Sequence, residues 1–162
     1  PDRLYVAADG SRVFVTEDRG RTWHSYPIAL STEIVEIEVD PEIQGRVYLI
    51  AGPGGFWRSD DGAKTGGSYS NGLEDRSLSA VTAIPGAAET LFVGATNGEV
   101  WKTEDGGEHW NPVRGDLAVT GISALTPGEQ KEEIWLACGD AIYRYEPGAL
   151  ENLEHHLGGI TR

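Results

Sequence analysis

The chain has 162 residues, a formal net charge of −13 and a pI of about 4.6. This charge argues against nucleic acid or an anionic membrane surface as a partner, because both require a basic patch. We expect no membrane insertion, since no apolar stretch approaches the roughly 18 residues of a transmembrane helix. The single cysteine, Cys138, forms no intrachain disulfide and is expected to be a small buried side chain on a strand.

Four strand starts share one apolar pattern and recur with a period of 43 or 44 residues. They are residues 4–6, 47–49, 91–93 and 134–136. Runs such as residues 34–39 alternate apolar and polar side chains, which indicates strands rather than helices. About 43 residues with four short strands is the size of one β-propeller blade. The sequence therefore predicts an all-β chain of four-stranded antiparallel blades, with repeat units at about 4–46, 47–90, 91–133 and 134–162 and forming part of a larger ring.

Within each unit the expected elements follow the same order. The first two strands form a hairpin, with turn signals at residues 9–10, 53–55, 97–98 and 139–140. The second strand of each hairpin is predicted at residues 13–15, 56–58, 100–102 and 142–145. Another strand follows at 22–26, 67–70 and 109–113, and a last one opens the next unit at 34–39, 78–84 and 121–125. The first and last units are thus expected to have three strands each.

An eight-residue motif, [S/T]-x-D-x-G-x-x-W, separates two strands in the first and third units; we call it the box. Its defining residues are Thr16, Asp18, Gly20 and Trp23 in the first unit, and Thr103, Asp105, Gly107 and Trp110 in the third. Asp and Thr side chains can accept hydrogen bonds from backbone N–H groups that a tight turn leaves unpaired. Glycine reaches positive φ at low cost, and the tryptophan ring can pack under the turn. The box is therefore predicted to be structural.

The second unit has a degenerate box. Ser59 and Asp61 remain, but a glycine occurs one position early, at Gly62, and Gly66 occupies the tryptophan position. In the fourth unit no Asp or Trp is in register. Both turns are expected to be looser than the two complete ones.

The motif resembles the Asp-box (BNR repeat) of sialidases, sortilin-type receptors, xyloglucan-cleaving hydrolases and photosystem II assembly factors. The resemblance implies a β-propeller and favours an extracytoplasmic location. A ring of six to eight blades would need roughly 260 to 350 residues. We therefore expect part of a larger ring, a closed four-unit ring, or self-association of two copies that completes an eight-unit ring. Residues 158–162 resemble the start of another innermost strand.

Aromatic side chains recur at matching strand positions. One set is Trp57, Trp101 and Tyr143, and another is Tyr5, Tyr48, Phe92 and Trp135. This regularity predicts that they pack one blade against the next, whereas an exposed aromatic would indicate carbohydrate stacking.

No catalytic constellation emerges from the sequence, so the catalytic residues stay unassigned. The sialidase arginine triad and its associated motif are not recognisable. Asp40, Asp75 and Asp116 are predicted on connections between blades, where paired carboxylates could serve a glycosidase. His24 and His109 are interpreted as surface strand residues, and His155-His156 is a weak metal pattern. We expect no metal and no cofactor, because no phosphate-binding loop occurs.

These observations favour a non-catalytic scaffold for protein interaction or assembly. A glycoside hydrolase of the sialidase or xyloglucanase kind, or part of one, is the alternative, and a glycan-binding module is the third reading. The expected partner is accordingly a protein or a carbohydrate.

Overall fold

The computed structural model of the protein describes residues 2–8, 10–30, 32–53, 55–113, 121–139, 141–147 and 149–152. Within these residues the chain forms fifteen β-strands and no helix. The strands assemble into four antiparallel sheets that follow one another along the chain. The prediction of an all-β fold is therefore confirmed.

Each sheet consists of strands that are consecutive in sequence. Sheet 1 contains β1 (Leu4–Ala8), β2 (Arg12–Thr16) and β3 (His24–Pro27). Sheet 2 contains β4 (Ile34–Val39), β5 (Val47–Ala51), β6 (Gly55–Ser59) and β7 (Gly67–Ser68). Sheet 3 contains β8 (Leu78–Ala83), β9 (Leu91–Ala95), β10 (Val100–Thr103) and β11 (Asn111–Pro112). Sheet 4 contains β12 (Ile122–Pro127), β13 (Ile134–Cys138), β14 (Ala141–Glu146) and β15 (Ala149–Asn152).

Strand β15 is missing from the prediction, which ended the fourth unit at its third strand. In sheets 2 and 3 a box separates the third and fourth strands, whereas no box motif marks the turn before β15. Here Glu146 pairs directly with Ala149, so only residues 147 and 148 join β14 to β15. Residue 148 lies outside the described residues, and with it part of the turn that was expected to be loose.

Consecutive sheets pack face to face through three apolar clusters. The cluster between sheets 1 and 2 includes Val13, Val15, Val47 and Leu49. Tyr48, Phe56, Leu91 and Val93 belong to the cluster between sheets 2 and 3, and Phe92, Val100, Ile134 and Leu136 to the one between sheets 3 and 4. The strands β5 and β9 therefore have buried apolar residues on both faces of their sheets. This is the pattern of a strand that is covered on both sides.

The recurrent aromatic residues lie in or against these clusters, as predicted, with the exception of Trp135. Trp57 is 3 % exposed, whereas Tyr48 and Phe92 are fully buried. Trp101 and Tyr143 pack against the clusters on the preceding side of sheets 3 and 4. Blade-to-blade packing accounts for these residues, and Cys138 is likewise buried on β13. Burial raises the pKa of the Cys138 thiol.

Candidate functional site

The first box turn is held together by the side chains of Thr16 and Asp18. The Thr16 hydroxyl donates to Asp18 Oδ1 at 2.8 Å and accepts from the backbone N–H of Gly20 at 2.9 Å. Asp18 also accepts the backbone N–H of Thr22 at 2.8 Å and the Thr22 hydroxyl at 2.7 Å. The backbone hydrogen bond from Thr22, followed by the two threonine hydroxyls, lowers the pKa of Asp18 to about 2. The Asp18 carboxylate therefore stabilises the turn.

The third box turn repeats this arrangement. The Thr103 hydroxyl donates to Asp105 Oδ1 at 2.7 Å and accepts from the Gly107 N–H at 3.0 Å. Asp105 accepts the backbone N–H of His109 at 3.0 Å, and its second oxygen lies 2.8 Å from His109 Nδ1. Burial acts to raise the pKa of Asp105, but the hydrogen bonds from Thr103 and His109 outweigh it and lower the pKa to about 2. His109 thus belongs to the box turn rather than to a strand.

The second turn has the same hydrogen bonds, so the prediction of a looser turn is wrong. Ser59 donates to Asp61 at 2.9 Å and accepts from the Ala63 N–H at 2.9 Å. Asp61 accepts the Thr65 N–H at 2.8 Å and the Thr65 hydroxyl at 2.6 Å. Ala63 adopts a positive φ of 67°, at the position where Gly20 and Gly107 have φ values of 88° and 102°. The Ser and Asp side chains suffice to close the turn, and alanine tolerates the strained conformation.

These carboxylates make the folded state sensitive to acid. The pKa values of Asp18 and Asp105 are about 2 in the folded chain, below the usual value near 4. Their contribution to stability is present above the unfolded pKa and is lost as the pH falls through the folded pKa. We expect the urea midpoint to fall between about pH 4 and pH 2, and to fall less in the Asp18→Asn/Asp105→Asn variant. Equal falls in both proteins would contradict this assignment.

The acids proposed as catalytic candidates do not form a pair in the described structure. Asp40 lies in the turn between β4 and β5 of one sheet, so its predicted place on a connection between blades is wrong. It is 8 % exposed and accepts the backbone N–H groups of Glu42 and Ile43 and the Tyr48 hydroxyl. Asp75 lies between β7 and β8, before an innermost strand rather than after one. Asp116, like His155 and His156, falls outside the described residues.

Three glutamate side chains on sheet 2 bond to the backbone of sheet 3. Glu36 accepts the N–H of Val81 at 2.8 Å, and Glu38 and Glu42 accept those of Ala83 and Gly86 at 3.5 and 2.5 Å. These N–H groups belong to β8 and the turn after it, on the side of the sheet where no further strand pairs. Burial raises the pKa values of Glu36 and Glu38. The glutamates thus connect the innermost strands of neighbouring sheets, a feature that the sequence analysis did not identify.

Ion pairs also cross between neighbouring sheets. Arg46 of sheet 2 bonds to Glu89 of sheet 3 at 2.7 Å, and Lys102 of sheet 3 bonds to Glu132 of sheet 4 at 2.7 Å. Among the described residues, no group of three or more His, Cys, Asp or Glu side chains is arranged to hold a metal ion. The same residues include no helix with the length and apolar character needed to span a bilayer.

One face of sheet 1 is uncovered; we call it the leading face and define it by Leu4, Val6, Phe14 and Trp23. Leu4, Val6 and Trp23 are 43, 45 and 42 % exposed. Their equivalents in later sheets are buried: Val47, Leu91 and Ile134 are fully buried, and Leu49, Val93 and Leu136 are at most 1 % exposed. In each later sheet the preceding sheet covers these positions. The leading face is therefore a blade-packing surface without a described covering sheet.

Beside this face lies an open cleft of about 560 Å³ between β1 and β4. Tyr5, Ile37 and Val39 provide much of its apolar lining, and Val39 is 48 % exposed. Sheets 2, 3 and 4 each have an innermost strand paired with the strand equivalent to β1, but the described part of sheet 1 has none. The cleft thus occupies the place of an innermost strand and leaves one edge of β1 open.

Consecutive four-stranded antiparallel sheets, stacked face to face with this repeated connectivity, are blades of a β-propeller. No protein-family model matches the chain. Among curated proteins it is similar to an oligoxyloglucan-reducing end-specific xyloglucanase of Emericella nidulans. The two are 29 % identical over 137 residues, which cover 71 % of this chain and 16 % of the relative.

Solved structures with the same fold include two kinds of protein. A GH74 enzyme of Niastella koreensis superposes with a TM-score of 0.80 at 17 % identity, over 94 % of this chain and 28 % of that one. YCF48 bound to a D1 peptide superposes with a TM-score of 0.70 at 16 % identity, over 93 % of this chain and 50 % of that one. At these identities the likeness concerns the β-propeller fold. The chain spans half or less of the length of each of these proteins.

Proposed function

We propose that residues 1–162 form a single propeller segment of the Asp-box (BNR repeat) kind, which acts as a non-catalytic scaffold for protein interaction or assembly. The observation that carries the proposal is that the box carboxylates of Asp18, Asp61 and Asp105 are all engaged in hydrogen bonds within their own turns. They stabilise the turns of the blades, which supports a structural rather than a catalytic role.

The box residues fit a structural role in this proposal. That set is Thr16, Asp18, Gly20, Trp23, Ser59, Asp61, Thr103, Asp105, Gly107 and Trp110. Each box aspartate accepts hydrogen bonds from a neighbouring backbone N–H and from side chains of its own turn. A general acid in a glycosidase needs a raised pKa, whereas those of Asp18 and Asp105 are lowered to about 2. These carboxylates are therefore unsuited to acid catalysis.

Within the described residues one edge of β1 has no paired strand, and this edge offers a surface for a protein partner. An extended peptide can add to such an edge through backbone hydrogen bonds and place alternate side chains in a neighbouring cleft. The cleft between β1 and β4 has the required position and an apolar lining from Tyr5, Ile37 and Val39. The peptide complex of YCF48 supports protein binding as a use of this fold.

A glycoside hydrolase, or part of one, is the second candidate, and the similarity to the Emericella nidulans xyloglucanase favours it. Its carbohydrate partner would be held by blades beyond those described here. A glycan-binding module needs an exposed aromatic platform. Trp23 is the exposed tryptophan of the box set, but its ring lies on the leading face.

Incubation of the purified chain with xyloglucan oligosaccharides, followed by chromatography of the products, separates these candidates. We expect no cleavage. Matched variants Asp40→Asn and Asp75→Asn control for contaminating enzymes, because a contaminant would act equally in all three preparations. Cleavage that is lost in either variant would show that the chain is catalytic and would refute the scaffold proposal.

A further inference from the structure

We propose that Asn71 is a site of spontaneous deamidation, at which the side-chain amide becomes a carboxylate and Glu74 acts as the base. Asparagine followed by glycine occurs twice in the chain, at Asn71-Gly72 and at Asn97-Gly98. Asparagine is a thermally labile residue, and a following glycine has no side chain that hinders attack by its own backbone nitrogen. The two dipeptides are the same in sequence, so a difference between them has to come from the fold.

The reaction consumes water and needs no other reagent. The backbone nitrogen of Gly72 attacks Cγ of the Asn71 side chain and gives up its proton to the base. A new bond between this nitrogen and Cγ closes a five-membered succinimide ring. The bond from Cγ to Nδ2 breaks, and the leaving nitrogen recovers the proton and departs as ammonia. Water then opens the ring at one of its two carbonyls and gives aspartate or isoaspartate, without any oxidation or reduction.

Glu74 is in position to take the proton from the attacking nitrogen. The backbone N–H of Gly72 donates to Glu74 Oε2 at 2.9 Å, which is within the reach required of a general base. Hydrogen bonds from the backbone N–H groups of Glu74 itself and of Gly72 lower the pKa of the Glu74 carboxyl. The group is therefore ionised at neutral pH. Asn71 and Glu74 are both exposed, so water can reach the succinimide.

The Asn71 side chain is held weakly and can rotate toward the Gly72 nitrogen. Its Nδ2 donates to the Glu108 carbonyl at 3.4 Å, a distance beyond the usual range for a hydrogen bond. The turn at residues 70–73 is closed by the N–H of Leu73, which donates to the Ser70 carbonyl at 2.8 Å. The Gly72 N–H is therefore not needed to close the turn. It can stay with the carboxylate while the asparagine side chain moves.

The reacting groups of Asn97-Gly98 are engaged in the hairpin turn instead. The Gly98 N–H donates to the Ala95 carbonyl at 3.0 Å, so its partner is a neutral oxygen and a much weaker base than a carboxylate. Asn97 Oδ1 accepts the backbone N–H of Glu99 at 3.1 Å, which fixes the side chain. The Glu99 carboxylate forms an ion pair with Arg76 at 2.6 Å. Attack at Asn97 thus has to break two hydrogen bonds of the turn.

Conversion of Asn71 would alter the junction between sheets 2 and 3. Asn71 lies between β7 and β8, and Glu108 belongs to the box of sheet 3. An aspartate has no amide donor for the Glu108 carbonyl and brings a negative charge close to it. Isoaspartate also lengthens the backbone by one carbon. Space is limited there, because a Cβ on Gly72 would lie only 3.1 Å from the Trp110 carbonyl oxygen.

Peptide mapping by mass spectrometry tests the proposal on the purified, folded chain. The chain is incubated in mildly alkaline buffer, and the deamidated fraction of each asparagine is followed over time. We expect Asn71 to convert about tenfold faster than Asn97, less than the usual gain from a buried general base because Glu74 is exposed. Equal rates, or faster conversion of Asn97, would overturn the proposal.

Glu74→Gln separates the base from the hydrogen bond. The glutamine amide oxygen can still accept the Gly72 N–H, but it does not take up the proton. We expect conversion of Asn71 to slow about tenfold, while that of Asn97 in the same molecule stays unchanged. Both sites lose their folded surroundings in urea, where we expect similar rates. An unchanged rate at Asn71 in the variant, or a tenfold difference that persists in urea, would refute the role of Glu74.

Discussion

Replacing Trp110 with alanine is expected to lower the free energy of unfolding by about 3–5 kcal/mol, the usual cost of removing a buried tryptophan. Trp110 is 5 % exposed, and its indole N–H donates to the Tyr69 carbonyl of the preceding sheet at 2.9 Å. Its ring meets that of Phe56 edge-on, with centroids 4.9 Å apart. The substitution would leave a cavity between sheets 2 and 3 and a lone carbonyl.

Trp23→Ala is the matched control, because Trp23 has the same position in the first box. Its indole N–H bonds within its own turn, to Gly20 O at 3.1 Å, and 42 % of the residue is exposed. We expect a cost of less than about 1 kcal/mol. Urea unfolding of both variants under the same conditions measures the two losses. Similar losses at the two sites would show that packing against a neighbouring sheet does not determine how much a box tryptophan contributes to the free energy of unfolding.

This contrast shows why the fold is more predictable than the site. The strand at residues 34–39 was predicted with its observed bounds, since period-two alternation is a local property. Burial of a box tryptophan instead depends on a sheet about 40 residues away along the chain. Nothing in the motif itself distinguishes Trp23 from Trp110. A sequence therefore predicts which residues occupy equivalent positions in the repeat. Which of these residues are buried depends on how the sheets pack.

The contacts between sheets were missed for a related reason. The carboxylates of Glu36 and Glu38 bond to β8, 45 residues away in each case. Composition alone does not reveal which acidic side chains in residues 33–42 reach a neighbouring strand edge. For the ion pairs between sheets the sequence does contain a signal, because Glu89 and Glu132 hold equivalent positions in successive units. A comparison of charged positions between units would have identified it.

The second box offers the other large expected effect. Gly66 occupies the tryptophan position of the motif, so a repair of the motif would place a side chain there. A Cβ on Gly66 would lie 2.2 Å from the Trp57 ring and 2.4 Å from the Arg58 carbonyl oxygen. Trp57 is 3 % exposed and already fills the space that a box tryptophan would need. Gly66→Ala is therefore expected to lower the free energy of unfolding by about 3 kcal/mol, the upper end of the usual overpacking cost.

Gly67→Ala provides the control at the adjacent residue of the same connection. The nearest atom to a Cβ on Gly67 is in the Tyr69 ring, at an ordinary contact distance of 3.7 Å. We expect a change of less than about 0.5 kcal/mol in urea unfolding. If Gly66→Ala is as mild as Gly67→Ala, Trp57 can move aside and the glycine is not required. If Gly66→Ala is strongly destabilising, Trp57 on the adjacent strand occupies the space of a box tryptophan between sheets 1 and 2, and the glycine is required there.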